Sequence, residues 1–131
     1  MILIDTSAWI EFLRDTGSQT CEMVESLLAF DIATCDPVAM ELLAGARNGR
    51  HLQDLRGLLA RATMLRSEPI DFEEAAALYR ECRRQGETVR KMIDCLIAAI
   101  SLRAEVPLLH ADADFDALAR HTGLVIHQTT A

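Results

Sequence analysis

The chain of 131 residues carries 20 acidic and 13 basic side chains, for a net charge of −7, and half of its residues are hydrophobic. This length and composition predict one globular domain spanning residues 1–131, and they argue against a disordered chain or a coiled coil. The acidic balance argues against broad electrostatic binding of nucleic acid, but it allows a local basic surface. No apolar run approaches the roughly 20 residues that cross a bilayer, and no signal peptide is recognisable, so we expect a cytoplasmic protein without a membrane segment.

Short apolar runs alternate with helical patterns along the whole chain. Strands are predicted at 2–4, 32–35, 63–65, 106–110 and 124–126. Helices are predicted at 8–13, 19–30, 38–46, 50–61, 71–85, 92–102 and 112–120. Strands that alternate with helices form a parallel sheet through right-handed crossovers. We therefore expect a three-layer α/β/α fold with a central parallel sheet of four to five strands, followed by a frayed tail at 127–131.

The first strand leads directly into Asp5. An unbroken apolar run of this kind is typical of a strand buried on both faces, and ligands bind at the carboxyl edge of such parallel sheets. Thr6 and Ser7 are residues that can cap the following helix. Asp5 is therefore either a polar strand exit or part of a functional site.

Further acids stand at comparable places. Glu41 lies in the helix after the second strand, Asp112 follows the fourth, and Asp94 is the single charge within an otherwise apolar helical segment. Each has an ordinary alternative, since Glu41 could be a solvated helix residue, Asp112 an N-cap, and Asp94 the partner of an arginine. Asp114 and Asp116 could simply complement the dipole of the last helix.

If the sheet brings these acids together, their mutual repulsion needs a counter-charge. Two carboxylates about 4 Å apart repel by roughly 4 kcal/mol at an effective dielectric constant of 20. Hard divalent cations prefer oxygen ligands, so Mg²⁺ or Mn²⁺ fits such a set. Zinc fits less well, because the four histidines are dispersed and no cysteine pair has metal-ligand spacing.

Four segments resemble the motifs of PIN-domain ribonucleases, and most closely those of the VapC toxins. They read Ile-Asp-Thr-Ser-Ala-Trp at 4–9, Met-Glu-Leu-Leu-Ala-Gly at 40–45, Ile-Asp-Cys-Leu-Ile-Ala-Ala at 93–99 and His-Ala-Asp-Ala-Asp-Phe at 110–115. The resemblance covers essentially the whole chain, with the motifs in the family's order. It implies that Mg²⁺ or Mn²⁺ is bound by Asp5, Glu41, Asp94, Asp112 and Asp114. Many relatives have Asn before the helix aspartate, where this chain has Ile93.

The resemblance further implies the toxin of a type II toxin–antitoxin pair, an endoribonuclease that cleaves tRNA or rRNA. One or two ions would activate a water for in-line displacement, which leaves 5′-phosphate and 3′-hydroxyl ends. We expect Asp5 and Asp94 to be the central ligands. Thr6 would hydrogen-bond a metal-bound water or a phosphate. The arginines Arg83, Arg84 and Arg90 are candidates for contacts with the RNA backbone.

Two protein partners follow from the same resemblance. The family implies a homodimer and a cognate VapB-type antitoxin. We expect the antitoxin to bind an apolar groove around Trp9, Phe12 and Leu13; ordinary core packing is the alternative for these residues.

Three other functions compete with a nuclease. A non-catalytic PIN-like scaffold that binds RNA or protein usually lacks one or more of the acids, and none is missing here. A phosphoacceptor receiver domain needs an aspartate at the end of the third strand, where Met64-Leu65-Arg66 stands. A haloacid-dehalogenase phosphatase needs a second aspartate at the position of Ser7. The scaffold is therefore the main alternative.

Overall fold

The computed structural model describes residues 1–128, and residues 129–131 of the predicted tail lie outside the described part. In chain order the elements are β1 (Ile2–Ile4), α1 (Thr6–Leu13), α2 (Gln19–Leu27), β2 (Ile32–Cys35), α3 (Asp36–Ala44), α4 (Gly49–Leu59), β3 (Thr63–Leu65), α5 (Pro69–Arg84), α6 (Met92–Ala104), β4 (Leu108–Leu109) and α7 (Ala113–His121). Within residues 1–128, no helix is long and apolar enough to cross a membrane.

The four strands form one parallel sheet in the order β3-β2-β1-β4. The central strand β1 pairs with β2 through Leu3 and Ala33, and with β4 through Leu3 and Leu108. The predicted α/β/α architecture with a central parallel sheet is thereby confirmed. Because all strands are parallel, their carboxyl ends meet at a single edge of the sheet.

The core lies on both faces of this sheet. Leu3 and Ile4 of β1 and both residues of β4 are fully buried, as the unbroken apolar runs predicted. The largest fully buried side chains also include Trp9 from α1, Phe115 from α7, and Ile97 and Ile100 from α6. Burying one aliphatic side chain of this size contributes roughly 1.5–3 kcal/mol, so the sheet and α6 form a rigid base for the loops above them.

The last predicted strand is the main difference in the sheet. Residues 124–126 form only an isolated parallel bridge between Ile126 and Leu108, so the sheet has four strands. The neighbouring strand β4 is only two residues long, since Pro107 before it has no N–H to donate. A two-residue strand offers too short an edge for a fifth strand to pair along.

Three helices, α1, α3 and α5, begin two residues earlier than predicted because other residues cap them. Asp5, rather than Thr6 or Ser7, is the N-cap of α1. Helix α3 starts at Asp36 itself, whose carboxylate is held by Arg66 and by the Ser67 amide instead of capping the helix. In α5 the capping box consists of Glu68 and Asp71 instead of Asp71 and Glu74, so the helix starts at Pro69.

Candidate active site

The topology brings four of the predicted acids to the carboxyl edge of the sheet. Asp5 follows β1, Glu41 lies on the helix that follows β2, and Asp112 follows β4. Helix α6 leads into β4 and packs against the sheet antiparallel to the strands, so its first turn, with Asp94, lies at the same edge. Asp114 joins them from the first turn of α7.

Asp5 is buried, with 3% of its surface exposed, and it is held by its own helix. Its Oδ2 accepts hydrogen bonds from the backbone N–H of Ser7, at 2.9 Å, and from the Ser7 hydroxyl. The Ser7 hydroxyl oxygen also accepts the N–H of Ala111 at 2.9 Å, which ties the end of β1 to the loop after β4. Burial raises the pKa of Asp5, the Ser7 hydrogen bonds oppose that rise, and the charge of Glu41 adds to it.

Glu41 is positioned by Thr6. The Thr6 hydroxyl donates to Glu41 Oε1 at 2.8 Å, although 35 residues separate the two in sequence. This contact fixes one oxygen of the carboxylate, and the charge of Glu41 is close enough to raise the pKa of Asp5. We predicted that Thr6 would contact a metal-bound water or a phosphate, whereas in this structure its hydroxyl is engaged by Glu41.

Three carboxylates lie closest together. Asp94, Asp112 and Asp114 each offer one oxygen, and these oxygens lie within 4.8 Å of one another. Asp112 is also the N-cap of α7, since its Oδ1 accepts the Asp114 N–H at 2.9 Å. From the sequence, Asp112 was either an N-cap or a member of the acid site, and in the structure it is both. Asp116 is exposed and stands outside the cluster, 3.3 Å from His110.

Two cations from the loop between α5 and α6 cover this cluster. Arg90 Nη2 lies 3.2 Å from Asp112 Oδ1, and Arg90 Nε lies 3.2 Å from Asp114 Oδ1. Lys91 Nζ lies 3.0 Å from Asp112 Oδ2 and 3.8 Å from Asp94 Oδ2. Arg90 was predicted as an RNA contact, and it lies beside the acids. Lys91 was missed as a site residue, although it directly follows Arg90 in the sequence.

The pKa values of Asp94 and Asp112 shift in opposite directions. Burial raises the pKa of Asp94 to about 7, the charge of Asp5 adds to the rise, and Lys91 counteracts it. Burial also acts to raise the pKa of Asp112, but the Asp114 amide, Lys91 and Arg90 outweigh it and the net shift is downward. The local cations therefore stabilise the charge on Asp112 more than that on Asp94.

Several carboxylate oxygens in the site are buried and have no hydrogen-bond partner among the described residues. These atoms are Asp5 Oδ1, Asp94 Oδ2 and Asp114 Oδ2. A buried oxygen without a partner is costly, and a hard divalent cation is a ligand that such oxygens can satisfy. The donor set is all oxygen, as Mg²⁺ and Mn²⁺ prefer. The residues therefore fit a divalent cation, with Asp94, Asp112 and Asp114 forming its most compact donor set.

The other predicted RNA contacts lie on α5. Arg84 pairs with Glu81 on its own helix at 2.6 Å, and the Arg83 guanidinium lies 5.6 Å from the ring centre of Tyr79. Among residues 1–128, neither arginine forms an ion pair with the acids at the sheet edge. Intrahelical spacing explains both contacts, since residues three or four apart in a helix are neighbours.

The predicted antitoxin residues differ in exposure. Trp9 is fully buried and packs edge-on against Phe12, with ring centres 6.3 Å apart. The prediction that Trp9 lines a surface groove is therefore wrong; Trp9 is a core residue. Phe12 is half-buried, and Leu13 is 43% exposed, so only these two of the three residues reach the surface.

Comparisons with known proteins agree with this geometry. Residues 2–121 match the family described as PIN domain. The chain is 48% identical over 128 residues to Ribonuclease VapC11 of Mycobacterium tuberculosis, covering 95% of this chain and 96% of that protein.

Solved structures share the fold at lower sequence identity. One is the 2.2 Å structure of VapBC-1 from nontypeable Haemophilus influenzae, with a TM-score of 0.78, 20% identity and complete coverage of both chains. Another is DNA-bound VapBC from Salmonella typhimurium, with a TM-score of 0.75, 19% identity and 98% coverage of both chains. The matched family, the identity to a ribonuclease over almost the whole chain, and the acids at the sheet edge lead to one conclusion: this chain belongs to the VapC family of PIN-domain ribonucleases from toxin–antitoxin systems.

Proposed function

We propose that this chain is a Mg²⁺- or Mn²⁺-dependent endoribonuclease that cleaves structured RNA, namely tRNA or rRNA, as the toxin of a type II pair. The observation that carries the proposal is the convergence of five acids, three of which have a buried carboxylate oxygen with no hydrogen-bond partner among residues 1–128. A non-catalytic scaffold gives no reason to maintain so unfavourable an arrangement. One or two bound ions would supply an activated water and positive charge beside the scissile phosphate.

We assign a proposed role to each of the five acids. Asp94, Asp112 and Asp114 are the proposed holders of a cation, since their oxygens already lie within 4.8 Å of one another. Asp5 adds a further ligand through Oδ1, while Ser7 fixes its Oδ2. Glu41 is the proposed residue that orients the attacking water. Its Oε1 accepts the Thr6 hydroxyl, so Oε2 remains to accept a hydrogen bond from that water.

Arg90 and Lys91 are the cations best placed to contact the RNA backbone. They already lie beside the carboxylates where a phosphate would enter. Arg83 and Arg84, on α5, are exposed and would contact RNA only at a distance from the cut. With a net charge of −7 the chain binds RNA weakly overall, so we expect the local shape of the RNA to decide which target is cleaved.

We also propose a VapB-type antitoxin and a homodimer. Phe12 and Leu13 provide the exposed part of the predicted antitoxin surface on α1. The solved VapBC complexes with the same fold support a partner of this kind. Ile70 and Phe72, which are 55% and 59% exposed at the start of α5, offer an apolar surface on which a second copy could pack. Light scattering with and without the antitoxin tests both assemblies.

The test is cleavage of end-labelled total tRNA and rRNA by antitoxin-free protein. Reactions contain Mg²⁺, Mn²⁺ or EDTA. We expect discrete cuts that require metal and carry 5′-phosphate ends. Asp94→Asn and Asp5→Ala should abolish the cuts, whereas Asp54→Asn, a matched change at an exposed acid on α4, should not.

Two results would contradict the proposal. Cuts that persist in EDTA or in Asp94→Asn would point to a contaminating nuclease. Folded, antitoxin-free protein that cuts neither RNA under any metal would favour the scaffold alternative. Circular dichroism of each variant establishes that it is folded before its activity is compared.

A further inference from the structure

A pocket adjoins the acid site on the side of Glu41. It has a volume of about 300 Å³, lies between α1, α3 and α4, and is called the side pocket below. Thr6 and Glu41, which hydrogen-bond to each other, form the wall that it shares with the acid site. A volume of this size lies at the lower end of the range typical of small-ligand sites. The side pocket is therefore continuous with the proposed centre of cleavage and large enough for one planar ring.

The interior of the side pocket is apolar. Ile10 and Leu13 of α1 face it from one side, and Leu42 of α3 and Leu55 of α4 line the other. Leu42 and Leu55 are buried, whereas Leu13 is 43% exposed. Unstacked RNA bases are recognised on apolar or aromatic surfaces of this kind, where the flat face of the base leaves water.

The rim of the side pocket is cationic. Arg14 follows α1, and Arg47 lies between α3 and α4. Among the described residues, neither guanidinium takes part in an ion pair, whereas Arg90 and Lys91 are both engaged with the acid cluster. His51 also lines the pocket, and its ring is fixed because Nδ1 accepts a hydrogen bond from the backbone N–H of Arg47 at 3.0 Å. A chain of net charge −7 thus presents positive charge on the rim of an apolar pocket beside its acids.

We propose that the side pocket binds the nucleotide next to the scissile phosphate of a single-stranded or looped RNA segment. The base enters the apolar interior, and the phosphate beyond it is bound by Arg14 and Arg47. This inference rests on the proposed nuclease function and adds to it a subsite that selects the nucleotide. RNA fits better than a protein segment because an apolar interior with a cationic rim matches the alternation of base and phosphate.

The first test measures how RNA binding depends on salt. A fluorescent, short single-stranded RNA of random sequence is titrated by anisotropy in Ca²⁺, which takes the same carboxylate oxygens. Each phosphate contact on a single strand contributes about 0.7 to the slope of log Kd against log salt concentration. The double variant R14Q/R47Q, which removes the contact with that one phosphate, should therefore lower the slope by about 0.7. The matched double variant R50Q/R56Q changes two exposed arginines of α4 outside the pocket and should leave the slope unchanged.

A second substrate separates the side pocket from the metal site. Bis(p-nitrophenyl) phosphate is a small phosphodiester that needs only the centre of cleavage, so R14Q/R47Q should hydrolyse it with Mn²⁺ at the wild-type rate. If wild-type protein fails to hydrolyse it while the slope still falls in R14Q/R47Q, the subsite stands and the nuclease function is wrong. If R14Q/R47Q also loses this hydrolysis, the two arginines support the metal site and the subsite proposal is overturned.

The third readout is base preference beside the cut. Random-sequence RNA is cleaved with Mn²⁺ and its new ends are sequenced. Leu13→Ser should change the base frequencies at one position beside the cut, whereas Val125→Ser, a matched change at an exposed aliphatic residue outside the side pocket, should not. An unchanged slope in R14Q/R47Q would overturn the proposal. So would an R14Q/R47Q variant that loses binding of a VapB-type antitoxin but keeps wild-type RNA binding, because a protein segment would then occupy the cationic rim of the pocket.

Discussion

Replacing Asp94 by Asn should stabilise the metal-free protein, because this acid is buried among other acids. Its pKa is raised from 3.8 to about 7, a difference of about 3 units. At 1.36 kcal/mol per unit, ionised Asp94 destabilises the fold by about 4 kcal/mol at pH 8. The sign follows from proton binding: between pH 4 and 7 the folded protein holds a proton that the unfolded chain has released. The contribution of Asp94 to stability is therefore greatest below about pH 4. It is lost as the pH rises from there through about 7.

Thermal melts in EDTA test this prediction. For a domain of this length 1 kcal/mol shifts the melting temperature by roughly 3–5 °C. Asp94→Asn should therefore melt roughly 12–20 °C higher than wild type at pH 8, and the gain should shrink to under half of that at pH 5. Asp54→Asn is the matched control at an exposed acid. If Asp94→Asn melts at or below the wild-type temperature at pH 8, ionised Asp94 does not destabilise the folded protein and the reasoning is refuted. Added Mn²⁺ should reverse the order, because only the wild type keeps the full ligand set.

Two further predictions concern the remaining charges. The double variant R90Q/K91Q should bind Mn²⁺ about tenfold more tightly in calorimetry, since two cations that compete for the acids are gone, and it should melt at a lower temperature in EDTA. Arg83→Gln is the matched control, and unchanged affinity in R90Q/K91Q would contradict the competition. Arg103→Leu should lower the free energy of unfolding in urea by about 3 kcal/mol, because it strips a bidentate partner at 2.8 and 3.0 Å from Asp71, which is 1% exposed. Adding Asp71→Asn to Arg103→Leu should restore part of the lost free energy of unfolding. If the effects of the two substitutions simply add in the double variant, the pairing of Arg103 with Asp71 is refuted.

The sequence predicts the acid site well where position in the sheet decides it. Asp5 and Asp112 directly follow apolar strands, and parallel pairing places the ends of those strands side by side. The isolation of Asp94 among apolar residues correctly indicated a buried carboxylate, and its counter-charge is a lysine instead of an arginine. What the pattern could not give is the link between Thr6 and Glu41, since they stand 35 positions apart in sequence and only the packed fold brings them together.

The cations over the acids were predicted less well because they lie on a loop. Residues 85–91 have no periodic pattern that fixes the direction of Arg90 or Lys91. Their position depends on a tertiary tie, since Glu87 pairs with Arg120 and with His121, each at 2.7 Å on α7. In the same way, spacing placed Trp9 on one face of α1 but could not show that this face turns inward. Helical periodicity identifies a face, and the neighbouring elements decide whether solvent reaches it.

The arrangement of charges explains how this fold tolerates an acid cluster before any cation binds. Arg90 and Lys91 neutralise Asp112, whose pKa falls, whereas Asp94 is relieved by holding a proton up to about pH 7. A divalent ion must therefore displace the two side-chain cations and, below pH 7, that proton. Displacing the two cations would weaken metal binding, and releasing the Asp94 proton would make metal binding depend on pH below about 7. In the proposed mechanism, a bound divalent ion would balance the charge that Arg90 and Lys91 balance in its absence. Both side chains would then be free to contact an incoming phosphate.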